Sequence, residues 1–482
     1  MNGAPELGAG GFESREDATD SRSGHSDLAA GKDSYAKTAR VFFVCAIVAV
    51  LAFAPHFLTQ HRTWNFLIYI AAALAVGGLV AMRAAQQRAG ASIATRTRAA
   101  LSPEQLTTFA VFVAFLAFYG GTMFEPSPFN EQVRQAVAFV QGHIRIEAPD
   151  TFLEHAQVGP YSYALHPPLA PILLMPFTAI WGMNTNQTEF SVLIGAIDVA
   201  LAWILLGRFT LSNKSRVWLT VFFGTGNVLW YETVIGSTWA LPMVVAVMFL
   251  LALLIELFGA ARPLWLGIWG GLACLARYDA ALAMPMIALL AWRRGRTISE
   301  LLWIIPGFLA VGAIFVGMNE ARYQSLFDLG LNYIPNTHHS GPNNPPWFGL
   351  QYLPGNLNTL LFMAPRMDET FPYLHPVFTG QALTLTSPAF VLALRASFKR
   401  LEVAAMAMAA ALISIPSLLC YANGFAQFGT RHYIPAFPFL LVMMAIGMPR
   451  RTDQLTKILI CVSIFLVAFG VWHIHVWGLN GP

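Results

Sequence analysis

Charge is what this chain has least of. Only 11% of its 482 residues are Asp, Glu, Lys or Arg, where a water-soluble domain carries roughly 25%. That scarcity excludes an ordinary soluble globular domain. Cysteine is scarce too: Cys45, Cys274, Cys420 and Cys461 are the whole set, and all four fall inside apolar runs. No two have the spacing of a metal site, so a disulfide framework and a cysteine metal centre are both set aside. There is no basic stripe and no nucleic-acid-binding motif, which sets aside a nucleic-acid partner. No repeat of solenoid type is visible, and no inverted repeat with paired broken helices, the usual pointer to a secondary transporter. The N-terminus also lacks a basic start followed directly by an apolar core, as a cleavable signal would have.

Apolar residues fill the space that charge leaves, at 56% of the chain. Apolar runs cover 41–58, 64–82, 106–121, 168–182, 189–207, 217–230, 240–258, 264–276, 280–292, 299–318, 384–397, 402–421, 433–448 and 457–477. That pattern predicts an all-α polytopic membrane protein with about 13 transmembrane helices. Residues 1–36 are rich in Gly, Ser, Asp and Glu and read as a disordered cytoplasmic tail.

Basic residues in the connections set an orientation. Arg83, Arg88, Arg96 and Arg98 form one cluster, and Arg293, Arg294 and Arg296 a second. Arg395, Lys399 and Arg400 form a third, and Arg450, Arg451 and Lys457 a fourth. The positive-inside rule makes these loops cytoplasmic. Alternation then puts the loop 122–165, the turn 231–239, Arg277, the segment 319–383 and Arg431 on the opposite face. Arg208, Lys214 and Arg216 conflict with two full crossings between His166 and Arg208, and a short or re-entrant piece within 168–207 resolves the conflict.

The loop 122–165 is the chemically richest stretch. It holds Glu125, Glu131, Glu147, Asp150 and Glu154. From Asn130 to Gln141, Val133, Ala136, Val137 and Val140 recur at helical spacing, so an amphipathic helix lying on the membrane surface is expected. Each loop carboxylate is either a solvated charge or a general base for an acceptor hydroxyl. Glu131, near the start of that helix, is favoured by the helix dipole, and Glu125 is the next candidate. His166-Pro167-Pro168-Leu169 enters a helix, either as a rigid start or with His166 also holding a phosphate or a metal at the water boundary, for which a lone histidine is weak evidence.

Arg277, in Ala276-Arg277-Tyr278-Asp279, and Arg431, in Gly429-Thr430-Arg431-His432-Tyr433, interrupt or border apolar helices. A cation there is paired, hydrated or functional. Asp279 neutralising Arg277 is one reading; bidentate phosphate recognition is the other. His338 and His339 stand in a Pro/Gly/Asn-rich outer segment of the kind that forms lids. Adjacent histidines are not a metal motif by themselves. Trp239 belongs either to an aromatic belt or to a sugar-stacking surface.

Taken in order, these pieces resemble the integral-membrane glycosyltransferases of the GT-C fold, which include protein O-mannosyltransferases and the aminoarabinose transferase acting on lipid A. The resemblance covers 106–448. It is carried by Phe139-Val140-Gln141-Gly142, His166-Pro167-Pro168-Leu169 and Gly429-Thr430-Arg431-His432-Tyr433. It implies a GT-C-like bundle over 106–448 with outer loops 122–165 and 319–383. Two extra spans and a basic loop over 37–105 precede it, and a C-terminal span over 449–482 follows. It further implies a multi-pass protein of the cell membrane with its active site on the non-cytoplasmic face. The donor would be a polyprenyl-phosphate sugar and the acceptor a glycan, lipid or protein. Catalysis would fall to Glu131, or Glu125, and donor phosphate binding to Arg431 and Arg277. Further substrate contacts would come from His166, His338, His339 and Trp239. A divalent metal is left open, with no metal ligand assigned. Many relatives start this loop with Asp where the chain has Asn130-Glu131. A lipid-linked-sugar flippase and a non-catalytic scaffold are the competing readings.

Overall fold

The computed structural model describes residues 103–147, 155–335, 345–369, 371, 373–422, 424, 427–449 and 452–477. The tail, the two N-terminal spans and their arginine cluster lie outside the described residues, as do Asp150, Glu154, His338, His339, Arg450 and Arg451. The described chain is mostly helical. In chain order the helices are α1 (Pro103–Thr122), α2 (Glu131–Val140), α3 (Leu169–Trp181), α4 (Gln187–Leu206), α5 (Asn213–Thr225), α6 (Leu229–Ile235), α7 (Leu241–Leu257) and α8 (Pro263–Ala276). There follow α9 (Met284–Arg293), α10 (Ile298–Leu301), α11 (Ile304–Tyr323), α12 (Leu353–Leu361), α13 (Leu383–Thr386), α14 (Leu401–Leu419), α15 (Phe437–Gly447) and α16 (Gln454–Trp477). A hairpin of β1 (His155–Val158) and β2 (Tyr161–Ala164) pairs antiparallel with His155 opposite Ala164.

Among the described residues five segments are long and apolar enough to cross a membrane: Pro103–Thr122, Gln187–Leu206, Ile298–Tyr323, Leu401–Leu419 and Gln454–Val476. This is a helical membrane protein. Four shorter apolar segments, Leu169–Asn184, Leu241–Leu257, Pro263–Ala276 and Arg431–Gly447, fall below that length. These lengths do not establish the expected count of about 13 spans, two of which, 41–58 and 64–82, lie outside the described residues.

Two expected spans are broken for local reasons. The run 384–397 becomes the single turn α13 and a 3-10 helix, Pro388–Arg395, because Pro388 has no N–H to continue the ladder. The run 217–230 divides at Asn227. Its side-chain amide donates to the Phe222 and Phe223 carbonyls at 3.1 and 2.8 Å, closing α5. Its oxygen accepts the Leu229 N–H at 3.0 Å, opening α6.

The centre of the bundle is α4 against α1, α6 and α7. Helix α7 is apolar all round and buried nearly all round, as an interior helix must be. Helices α8 and α11 approach closely where Gly267 faces Gly307; a Cβ at either would meet the partner's backbone.

Helices α1 and α4 run antiparallel. Near the start of α1, Glu104 pairs with Arg216, whose Nε donates to the Trp203 carbonyl at 3.0 Å near the end of α4. At the other end, Trp230 Nε1 donates to Thr122 Oγ1 at 3.0 Å, and Phe124 N–H to the Val234 carbonyl at 3.0 Å. The chain between α2 and α4 leaves this second end at His166, beside Glu131. It returns there at Gln187, whose amide reaches the Phe129 and Gly236 carbonyls at 3.4 and 2.7 Å. Segment 166–187, with α3 at its heart, starts and finishes on one rim and does not cross. Arg216 lies at the opposite end with Glu104, so no extra crossing is needed to account for it.

Candidate active site on one rim of the bundle

The site is assembled from loops that a few hydrogen bonds lock together. Asn130 makes no side-chain cap for α2. The cap comes instead from Thr238, more than 100 residues away in sequence: its Oγ accepts the Glu131 N–H at 2.8 Å and donates to the Phe129 carbonyl at 2.9 Å. Gly236 makes this possible. It closes α6 in the left-handed region at φ +51°, and a Cβ there would meet the backbone of Thr188. Gly236→Ala should therefore cost about 1–3 kcal/mol. That loss is measurable as a lower melting temperature of the purified protein in detergent.

Helix α2 forms where the apolar spacing predicts it, but it does not lie with its polar side in water. Glu131, Gln132 and Gln135 are all buried. Gln132 donates to the Thr238 carbonyl at 3.1 Å and Gln135 to the Ile144 carbonyl at 3.2 Å. The expected surface helix is instead enclosed by the turns around it. The reason is that its polar residues satisfy distant backbone groups rather than water.

Glu131 sits at the first position of α2 with its carboxylate fully buried. One oxygen accepts the Leu165 N–H at 2.8 Å; the other is 3.1 Å from His166 Nδ1. The β1–β2 hairpin delivers these partners, since β2 ends at Ala164. His166 is the outer member of the pair: its side chain is 16% exposed where that of Glu131 is 0%. The pair is thus a carboxylate holding an imidazole from behind, an arrangement that fixes tautomer and ring orientation.

Arg431 arrives from the opposite end of the sequence. It opens a 3-10 helix, Arg431–Ala436, before α15 and is buried. Its guanidinium lies 5.9 Å from the Trp239 ring centroid, at the outer limit of a cation–π contact. Trp239 in turn tilts against Phe129, with centroids 5.0 Å apart. His432 ties the two halves together, because it lies within electrostatic range of Arg431, Arg277 and His166 at once. Glu131, His166, Arg431, Trp239 and Arg277 therefore belong to one constellation. Arg277 enters it already neutralised by Asp279, with Nε 3.3 Å from Oδ1 and a second contact through Nη2. Glu125 and Glu147 are exposed on their loop. Among the described residues no group of three His, Cys, Asp or Glu side chains is placed to hold a metal ion.

Two members of the site escaped the sequence reading. Glu232, on α6, is 1% exposed, and its Oε1 has no hydrogen-bond partner. Burial pushes its carboxyl up to about 7, with Arg431 opposing that rise. The signal was an acid inside the apolar stretch Trp230–Val234. Arg322, in the last turn of α11, is 3% exposed. Its Nη2 reaches Gln135 Oε1 at 3.4 Å. The signal there was a cation at the end of an apolar span.

The raised carboxyl of Glu232 has a stability consequence. The folded state holds the proton more tightly than the unfolded chain does. Glu232 therefore costs nothing below about pH 4.5, and its cost grows as pH rises to about 7 and then levels off. Glu232→Gln should raise the melting temperature at pH 8, leave it unchanged at pH 4.5 and flatten the slope between. A slope that survives the substitution would assign it to another group.

No family model, no curated protein and no solved structure matches this chain.

Proposed function

We propose that this chain is an integral-membrane glycosyltransferase with a GT-C-like core. It moves a sugar from a polyprenyl-phosphate donor to an acceptor hydroxyl on the non-cytoplasmic face of the cell membrane. One observation carries the reading. A buried carboxylate–imidazole pair, Glu131–His166, shares a rim with the guanidinium of Arg431, although hundreds of residues separate them in sequence.

In this mechanism the acceptor hydroxyl gives its proton to the Glu131–His166 pair. His166, the more exposed member, takes it, and Glu131 stabilises the imidazolium that results. The acceptor oxygen forms its bond to the anomeric carbon as the bond from that carbon to the phosphate oxygen breaks. The electron pair leaves with the polyprenyl phosphate, and Arg431 stabilises the charge that develops there. Trp239 supplies an aromatic face beside Arg431 for the sugar ring.

A lipid-linked-sugar transporter is the second reading, and Asp198 favours it. That carboxylate lies within α4, fully buried, and neither oxygen has a hydrogen-bond partner, as expected of a group on a translocation path. Purified protein in vesicles with labelled polyprenyl-phosphate sugar and a membrane extract as acceptor separates the two. Label that leaves the lipid for the acceptor supports transfer. Label that changes leaflet while still lipid-linked refutes it.

A further inference from the structure

Arg322 is chemically incomplete. It is a guanidinium at 3% exposure, its Nε has no hydrogen-bond partner, and among the described residues no carboxylate pairs with it. Other arginines near the bundle are compensated: Arg216 by Glu104, Arg262 by Glu256, Arg277 by Asp279. The two acids whose charges reach its neighbour Tyr323 are committed elsewhere. Glu131 is held by Leu165 and His166, and Asp328 accepts the Gly330 N–H at 2.8 Å. A buried cation without a counter-charge is costly, and a protein keeps one where an anion is to be bound.

The surroundings fit an oxyanion. Gln135 steadies one end of the fork at 3.4 Å, and Tyr278 and Tyr323 lie within its electrostatic reach. Tyr323 is fixed by stacking on Tyr333, with centroids 5.3 Å apart, and by an edge contact with Tyr163 of β2. A planar guanidinium whose Nε has no hydrogen-bond partner suits phosphate or carboxylate.

The position separates this cation from the other. Arg431 acts on Tyr231, Glu232 and His432; Arg322 acts on Tyr278 and Tyr323. The two sets share no member. Arg322 meets α2 at Gln135, one turn beyond Glu131, whereas Arg431 lies at Trp239, next to the capping residue Thr238.

We propose that Arg322 is the anchor of a second anion-binding position, distinct from the one at Arg431, and that it receives a phosphate or carboxylate carried by the acceptor. The anion position stands on Arg322 alone; its assignment to the acceptor rests on the transferase reading.

The test is thermal unfolding of the full chain in detergent, with polyprenyl phosphate saturating the donor position and inorganic phosphate then added. Wild-type protein should gain a further rise in melting temperature from inorganic phosphate. Arg322→Gln should lose that rise while keeping the one from polyprenyl phosphate; Arg431→Gln should do the reverse. Without any anion, Arg322→Gln should be at least as stable as wild type, because the uncompensated charge is gone. Arg322→Lys keeps the charge without the fork and should need several-fold more phosphate, which tests the idea even if the glutamine variant fails to fold. Two results would overturn it: Arg322→Gln retaining the phosphate-induced rise, or polyprenyl phosphate abolishing that rise in wild type, which would mean a single shared position. Failure of sugar transfer in the vesicle assay, with these shifts intact, would remove the acceptor assignment and leave the anion position standing.

Discussion

Glu131→Gln should abolish sugar transfer while leaving the fold intact. Glutamine keeps an oxygen for the Leu165 N–H at nearly the same position, so the loop 165–168 stays anchored. What disappears is the negative charge behind His166. The imidazole then has no anion to stabilise its protonated form, and a positioned base is worth about 10²–10⁴-fold. His166→Gln should cost a similar factor. The double variant should be no worse than either single one, because the two residues act as one unit. Single-turnover transfer from labelled donor measures all three. Multiplying losses would show that Glu131 and His166 act independently. Full activity in Glu131→Gln would show that the carboxylate behind His166 takes no part in the transfer.

The second large effect is expected at Arg431. Replacement by glutamine removes the charge that faces the leaving phosphate and should lower turnover about 10²–10³-fold. Lysine should recover part of this, since it restores the charge without the planar fork. Glu232 gives the result a second signature. Arg431 opposes the rise of its carboxyl, so in the glutamine variant Glu232 should hold its proton to still higher pH. The stability slope that ends near pH 7 in wild type would then extend upward. Lost turnover with an unmoved slope would separate the catalytic part of Arg431 from its field at Glu232.

How far the sequence reveals this site depends on where each partner comes from. Helix α2 is legible because its spacing is local: Val133, Ala136 and Val137 define one side. Its burial is not legible, since the N-terminal cap and the Gln132 amide find their partner in Thr238, which no short window connects to them. Glu131 could be singled out by position, whereas its contact with His166 depends on a hairpin whose register is set by pairing over several residues. Asp279 beside Arg277 was readable because the two are only two residues apart. Glu232 was hidden by its aromatic neighbours, which drew attention to a belt instead of to an acid in an apolar helix. Arg322 was hidden by its place at a span's end, where cations are ordinary. The breaks at Pro388 and Asn227 were not legible because hydropathy averages over a window and cannot see one side chain end a ladder.

Segment 166–187 has a bearing on how such a chain can vary. A stretch that departs from and comes back to its own edge contributes an even number of traversals. Lengthening it, trimming it or grafting another wedge in its place would change the surface of the rim beside His166. It would leave the parity of the remaining helices untouched, and with it the compartment that each later connection faces. That rim could therefore be reshaped for a new molecule without turning the rest of the protein inside out.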